Sequence, residues 1–198
     1  GRLFYNTGRR INNGFIKLGH TVQTLSDRDT VSQERKIIDL NGAKSLNKKC
    51  LELVGNYKPN LVILGHADAI SNDTLQNIKI YYPDTKFCQW FLDKMDNKSW
   101  LVNRNRFLKK SKYMDCNFCT THPSSLITLK NKKTFYIPNP VDKSFENLDL
   151  FKKKNHQYDL FFALSHGVHR GSLKKGKTDN REYFLKKLIN ANNKIRYN

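Results

Sequence analysis

The chain has 198 residues, 38% hydrophobic and 12% aromatic, which suits one ordinary domain with a core and a piece of a second. Its 36 Lys and Arg against 17 Asp and Glu give a net charge of +19, a field that favours anionic ligands such as nucleotide phosphates. No apolar run approaches the ~20 residues that span a bilayer, so no transmembrane segment is expected. The basic residues are spread along the chain, and the densest runs (Lys109–Lys110, Lys152–Lys154, Lys174–Lys175) are brief. That spread reads as solvated faces, and no nucleic-acid partner is expected.

In chain order, Leu3-Phe4-Tyr5 is a short apolar run, followed by Thr7-Gly8-Arg9-Arg10. Ile11, Phe15 and Leu18 then recur at helical spacing and Gly19 stops the helix. Thr21 to Leu25 is rich in β-formers and predicts a strand. Ser32 is a candidate cap for a polar helix toward Leu40. Leu46, Cys50, Leu51 and Val54 predict a helix from Ala43 to Val54. Leu61-Val62-Ile63-Leu64 has the composition of a central parallel strand, buried on both faces. Ser71-Asn72-Asp73 caps a helix carrying Leu75, Ile78 and Ile80, and Lys86 to Leu92 predicts the next strand. A basic helix is expected over Lys98 to Lys110, then strands at Asp115 to Thr120 and Thr134 to Ile137.

Alternating strands and helices predict an α/β fold, a Rossmann-like three-layer α/β/α arrangement with a parallel sheet, over residues 1–142. Residues 143–157 read as a connection. A new strand is expected at Tyr158 to Leu164, a helix at Glu182 to Ile189, and a further strand opening at Lys194 to Tyr197. Residues 158–198 therefore read as the beginning of a second Rossmann-like domain, incomplete because so short a piece cannot bury its own core; a tail docked on the first domain is the alternative.

In open parallel sheets, ligands bind beyond the carboxyl ends of the strands. That rule selects Thr7 to Arg10, Gly65 to Asp68, Asp93 to Asp96, Thr120 to Ser124 and Asn139 to Asp142. His66, Asp68 and Asp93 are the candidate catalytic groups, able to act as general base or to hold a sugar hydroxyl; which of them is the base stays open. Trp90 is a candidate sugar platform or a core residue. Gly8, Arg9, Arg10, His122 and Asn139 complete the substrate-binding candidates. Asn12-Asn13-Gly14 inside the first helix marks either a close approach to another element or a tolerated polar face. In the loop Ser165 to Thr178, His166, Arg170 and Lys175 stand among glycines and can clamp a diphosphate.

The glycine fingerprint of dinucleotide-binding dehydrogenases and the Walker lysine motif are both absent. Cys116 and Cys119, with His122 following, have a faint zinc look. No second ligand pair exists, and a strand would turn the two thiols to opposite faces. Buried cysteines and no metal are the expectation, and disulfides are not expected.

Leu18-Gly19-His20-Thr21-Val22, Ile137-Pro138-Asn139-Pro140-Val141-Asp142, Tyr158-Asp159-Leu160-Phe161-Phe162 and the helix led by Arg181 resemble GT-B glycosyltransferases, in particular the CgeB-like group. The resemblance implies an acceptor-side N-terminal domain, with Gly8 in a first glycine loop. It also implies the start of a donor-side domain, with Arg170 and Lys175 near the donor phosphates. It implies transfer from a nucleotide-sugar co-substrate to a glycan, lipid or protein acceptor, with no other cofactor and no metal needed for the chemistry. The missing remainder of the C-terminal domain would be its partner. The implied location is cytoplasmic, with peripheral contact at a membrane surface left open. The alternatives are a basic nucleic-acid or nucleotide-binding module without catalysis, and another Rossmann-like enzyme such as a methyltransferase or an epimerase.

Overall fold

The computed structural model describes residues 6–95, 101–125, 133–163, 180–192 and 194–197. The chain divides into two compact units, Gly1–Glu146 and Asn147–Asn198.

The first unit is an α/β fold built on a four-stranded parallel sheet flanked by helices, a Rossmann-like arrangement. Its strands are β1 (Leu61–Leu64), β2 (Lys86–Phe91), β3 (Cys116–Cys119) and β4 (Thr134–Tyr136). They lie side by side in chain order, with Ile63 opposite Cys88, Cys88 opposite Cys116, and Phe118 opposite Phe135. Parallel neighbours need crossovers. Helices α4 (Asn72–Tyr81) and α5 (Leu101–Ser111) supply the first two.

Before the sheet come α1 (Thr7–Lys17), α2 (Asp27–Gln33) and α3 (Ala43–Tyr57). The core forms where α3 and α4 meet the sheet, around Leu46, Cys50, Val54, Leu64, Leu75, Ile78 and Phe87. A second cluster of Phe91, Met95, Phe107 and Cys119 joins α5 to the ends of β2 and β3. Between them, Gln89 Nε2 donates to Asn117 Oδ1 at 2.6 Å and to the Phe107 carbonyl at 3.1 Å. This buried polar pair fixes the register of β2 on β3, because a slip would strand both amides away from water.

Several expectations need correction. Thr21 to Leu25 forms no strand. It is a connector pinned where Tyr57 Oη donates to the Thr21 carbonyl, with Leu25 packed on the core edge. β-Propensity yields to context where none of the described strands offers a ladder. Ser32 caps nothing. Ser26 caps α2 instead, its hydroxyl taking the Asp29 amide. The chain toward Leu40 is a tight turn closed between Lys36 and Asp39. Among the described strands β1 is an edge, not a central strand, and Leu61 is exposed. Leu3 to Tyr5 lies outside the described residues.

The sequence element Asn139-Pro140-Val141-Asp142 fastens α1 to the sheet's last connection. The buried carboxylate of Asp142 accepts from Lys17 Nζ and Asn13 Nδ2, both at 2.6 Å, and from the Ser144 amide and hydroxyl. Glu146 takes the Asp142 amide at 2.7 Å and pairs with Arg10. The close approach expected near Asn12-Asn13-Gly14 is therefore made by the Asn13 side chain. Gly14 faces open space.

The hydrogen bonds from Lys17, Ser144 and Asn13 hold the Asp142 carboxyl far below the usual carboxylate range. A carboxyl whose pKa falls on folding adds stability that is complete above its unfolded value, about 3.9, and is lost as the pH drops toward the folded one. Asp142→Asn should therefore lower the melting temperature at neutral pH. The gap from wild type should close as the pH falls below about 4. Melts across that range check this.

In the second unit, helix α6 (Asn180–Ala191) buries no residue. Of the strand expected from Tyr158 to Leu164, the described residues 158–163 form only a parallel bridge between Leu160 and Tyr197, and the one expected at Lys194 to Tyr197 forms the same bridge. Asp159 grips Arg196 beside it at 2.8 and 3.1 Å. The aromatic run Phe161-Phe162 stays largely exposed because no described strand pairs with it.

Candidate functional site

The loops after β1 and β2 meet at one point. His66 and Asp68 follow β1 and Asp93 follows β2. All three converge on Arg106, which reaches in from α5. Its Nε and Nη2 clamp Asp68 at 3.1 and 2.5 Å, a two-pronged pair of the strong planar kind. Nη1 donates to Asp93 Oδ2 at 3.2 Å and Nη2 to His66 Nδ1 at 3.3 Å. The guanidinium also lies over the Phe91 ring, 5.6 Å from its centre, and the His66 ring sits 4.8 Å from the same ring. Phe91, at the end of β2, is thus a common floor for the imidazole and the cation.

The loop is held firmly. Lys110, one helical turn after Arg106, is buried and donates to the Ile70 carbonyl. Burial, and then the neighbouring Lys109, push its amine below the usual lysine range. Helix α5 therefore grips the 65–70 loop at two points, by Asp68 and by Ile70. Between the two site residues, Ala67 adopts φ +43°, the left-handed region that non-glycine residues rarely occupy. Such backbone is kept where surrounding contacts over-determine it, and functional loops are where it concentrates.

The contact with Arg106 decides the proton on His66. Arginine has only donors, so Nδ1 must accept, and a neutral His66 carries its hydrogen on Nε2. That atom is buried and has no hydrogen-bond partner among the described residues, with Asp93 Oδ2 3.7 Å away. With Nδ1 turned to Arg106, the hydrogen of a neutral His66 sits on Nε2, on the side of Asp93. Asp68 is spent on its two bonds to Arg106. Asp93 takes one such bond on Oδ2 and is the carboxylate left to act as an acceptor.

Beside Asp93 lies an open depression of about 450 Å³ lined by Leu92, Lys94, Thr120, Thr121, His122 and Ser125. Its walls are tied together. Thr120 Oγ1 donates to the Leu92 carbonyl at 2.8 Å, and the Met95 amide donates to Thr121 Oγ1 at 3.2 Å. His122 Nδ1 accepts from the Ser124 amide and lies 2.7 Å from its hydroxyl, and the ring rests 5.8 Å from that of Tyr136.

The other candidates are dispersed. Trp90 is 5% exposed and belongs to the core, so it is no sugar platform: its indole is covered on the sheet. Gly8 lies within α1 and not in a glycine loop. The amide of Arg9 is already taken by Asn6 Oδ1 at 2.8 Å, and Arg10 is spent on Glu146 and the Phe145 ring. Asn139 is exposed on the segment after β4. Cys116 sits opposite Cys88 in the sheet, and the Cys119 thiol donates to the Thr121 carbonyl at 2.9 Å. No set of three or more metal-ligating side chains gathers among the described residues, and no described helix is long and apolar enough to cross a membrane. His166, Arg170 and Lys175 lie outside the described residues, as does Asp96.

The fold and this site define a Rossmann-like α/β protein with a polar cluster at the carboxyl edge of its sheet. No protein-family model matches the chain, and neither a curated protein nor a solved structure matches it.

Proposed function

We propose that the chain is the acceptor-side part of a GT-B-type glycosyltransferase, and that acceptors are activated at Asp93. The observation that carries the reading is the convergence of His66, Asp68, Asp93 and Arg106 at the ends of two neighbouring parallel strands, next to an open depression. Carboxyl ends of parallel strands are where such folds take ligands. The choice of sugar transfer over other group transfers rests on the resemblance carried by Asn139 to Asp142 and by Tyr158 to Phe162.

In this reading the acceptor occupies the depression, with the Thr121 and Ser125 hydroxyls and His122 as polar contacts. Its reacting hydroxyl passes a proton to the Asp93 carboxylate as its oxygen attacks the anomeric carbon of the donor. His66 stands behind this carboxylate, its Nε2 3.7 Å from Asp93 Oδ2. Arg106 Nη1, donating to Asp93 Oδ2, holds the carboxylate in place. The nucleoside diphosphate leaves with the bonding electron pair, and the resemblance assigns Arg170 and Lys175 to its phosphates, with His166 a further polar candidate.

The test offers the protein a panel of nucleotide sugars with glycan, lipid and peptide acceptors, and reads sugar addition or donor hydrolysis by mass spectrometry. Turnover of one donor supports the reading. Failure of every donor to bind or turn over contradicts it.

A further inference from the structure

The turn between α2 and α3 presents two isoleucines and a leucine to solvent. Ile37 is 93% exposed, Ile38 83% and Leu40 80%. Lys36 and Asp39 exchange backbone hydrogen bonds of 3.1 and 2.9 Å, closing a tight turn with Ile37 and Ile38 at its corners. Turn physics selects Gly, Asn, Asp or Pro at corners, so it does not account for paired isoleucines. Nor does the core, which neither side chain touches.

The base of the turn is fixed. Asp39 points inward and caps α3 through the amides of Lys44 and Ser45, at 3.3 and 2.8 Å. Gly42, at φ +66°, lies so close to Val31 that a Cβ would meet its carbonyl oxygen at 2.3 Å. The apolar tip is thus a rigid projection.

Its surroundings are cationic. The acidic groups next to it are withdrawn: Asp39 is buried in its capping role, and Glu34 is paired with Lys49 at 2.6 Å and Lys36 at 3.7 Å. Arg35, Lys36 and Lys44 are exposed around the tip, within a chain of net charge +19. A convex tip two side chains wide cannot supply the ~800 Å² per partner of an ordinary protein interface. It can enter the headgroup region of a bilayer, where apolar side chains bury among lipids and basic ones meet anionic headgroups.

We infer that the Ile37-Ile38 turn, with Leu40, Arg35, Lys36 and Lys44, is a peripheral insertion site for anionic membrane surfaces. This goes beyond the proposed sugar transfer and does not depend on it. The test is co-sedimentation of the whole chain with vesicles of phosphatidylcholine, with and without phosphatidylserine, at low and high salt and without nucleotide sugar. Binding should require phosphatidylserine and weaken with salt. Ile37→Ser/Ile38→Ser should weaken it by at least about tenfold, the effect of withdrawing one buried side chain's worth of apolar surface. Unchanged circular dichroism certifies the fold. Arg35→Glu/Lys36→Glu, which keeps the apolar tip, should lose binding as well and stands in should the first variant not fold. Three results overturn the inference: no binding of the wild type, equal binding to neutral vesicles and to both variants, or a self-associated wild type that the isoleucine variant turns monomeric without any vesicle binding.

Discussion

Asp93→Asn is expected to slow sugar transfer by about 100-fold to 10,000-fold, the range that a positioned general base contributes. The substitution is nearly isosteric. The carboxamide oxygen can still accept from Arg106 Nη1, and Asp68 retains its two-pronged grip on the same guanidinium. The fold should therefore persist, and the melting temperature should move little. What is lost is the basic oxygen beside the depression. His66→Asn keeps a donor amide in the loop and should cost much less, because Arg106 occupies Nδ1 and makes the imidazole a donor. Initial rates of transfer for the two variants check the division of labour. A slow His66 variant beside an unaffected Asp93 variant would reverse the roles.

Phe107→Ala should destabilise the first unit by about 3–5 kcal/mol, the usual cost of deleting a buried phenyl ring. Phe107 is fully buried, edge-on to Phe91 at 5.7 Å between ring centres, and packed with Met95, Cys119 and Leu108. Its carbonyl also receives Gln89 Nε2, so a shifted α5 would leave that amide unpaired. Typical domains are stable by only ~5–15 kcal/mol, so this is a large share. Phe91 is also the floor under His66 and Arg106, so the loss should reach the site. Urea unfolding checks the size through a lower midpoint. A change under about 1 kcal/mol would mean that α5 does not pack as described.

Where one element faces one uniform environment, its pattern is readable. Leu61 to Leu64 is a strand residue for residue, and α3 and the Ser71-capped α4 follow from apolar spacing and a hydroxyl in the right place. Thr21 to Leu25 was not readable in the same way, since a strand needs a neighbour and the run itself says nothing about one. The turn at Lys36 to Asp39 is set by Asp39 reaching forward to cap α3, which ends the polar helix expected to run toward Leu40. In the candidate site, His66, Asp68 and Asp93 are legible because each stands in the short loop that follows an apolar strand. Arg106 is not, since it stands among other cations on a basic helix. Its one visible signal is the spacing to Lys110, which puts both cations on the flank beside buried Phe107. Trp90 shows the opposite case, a residue chemically suited to sugars that packing claimed first.

The most direct test of the central assignment is the 15N spectrum of the His66 side chain, taken at a pH where the imidazole is neutral, for the wild type and for Arg106→Met. The geometry predicts a bare Nδ1 and a protonated Nε2 in the wild type, with that preference relaxed once the guanidinium is gone. A bare Nε2 facing Asp93 in the wild type would contradict it, returning the role of base to His66.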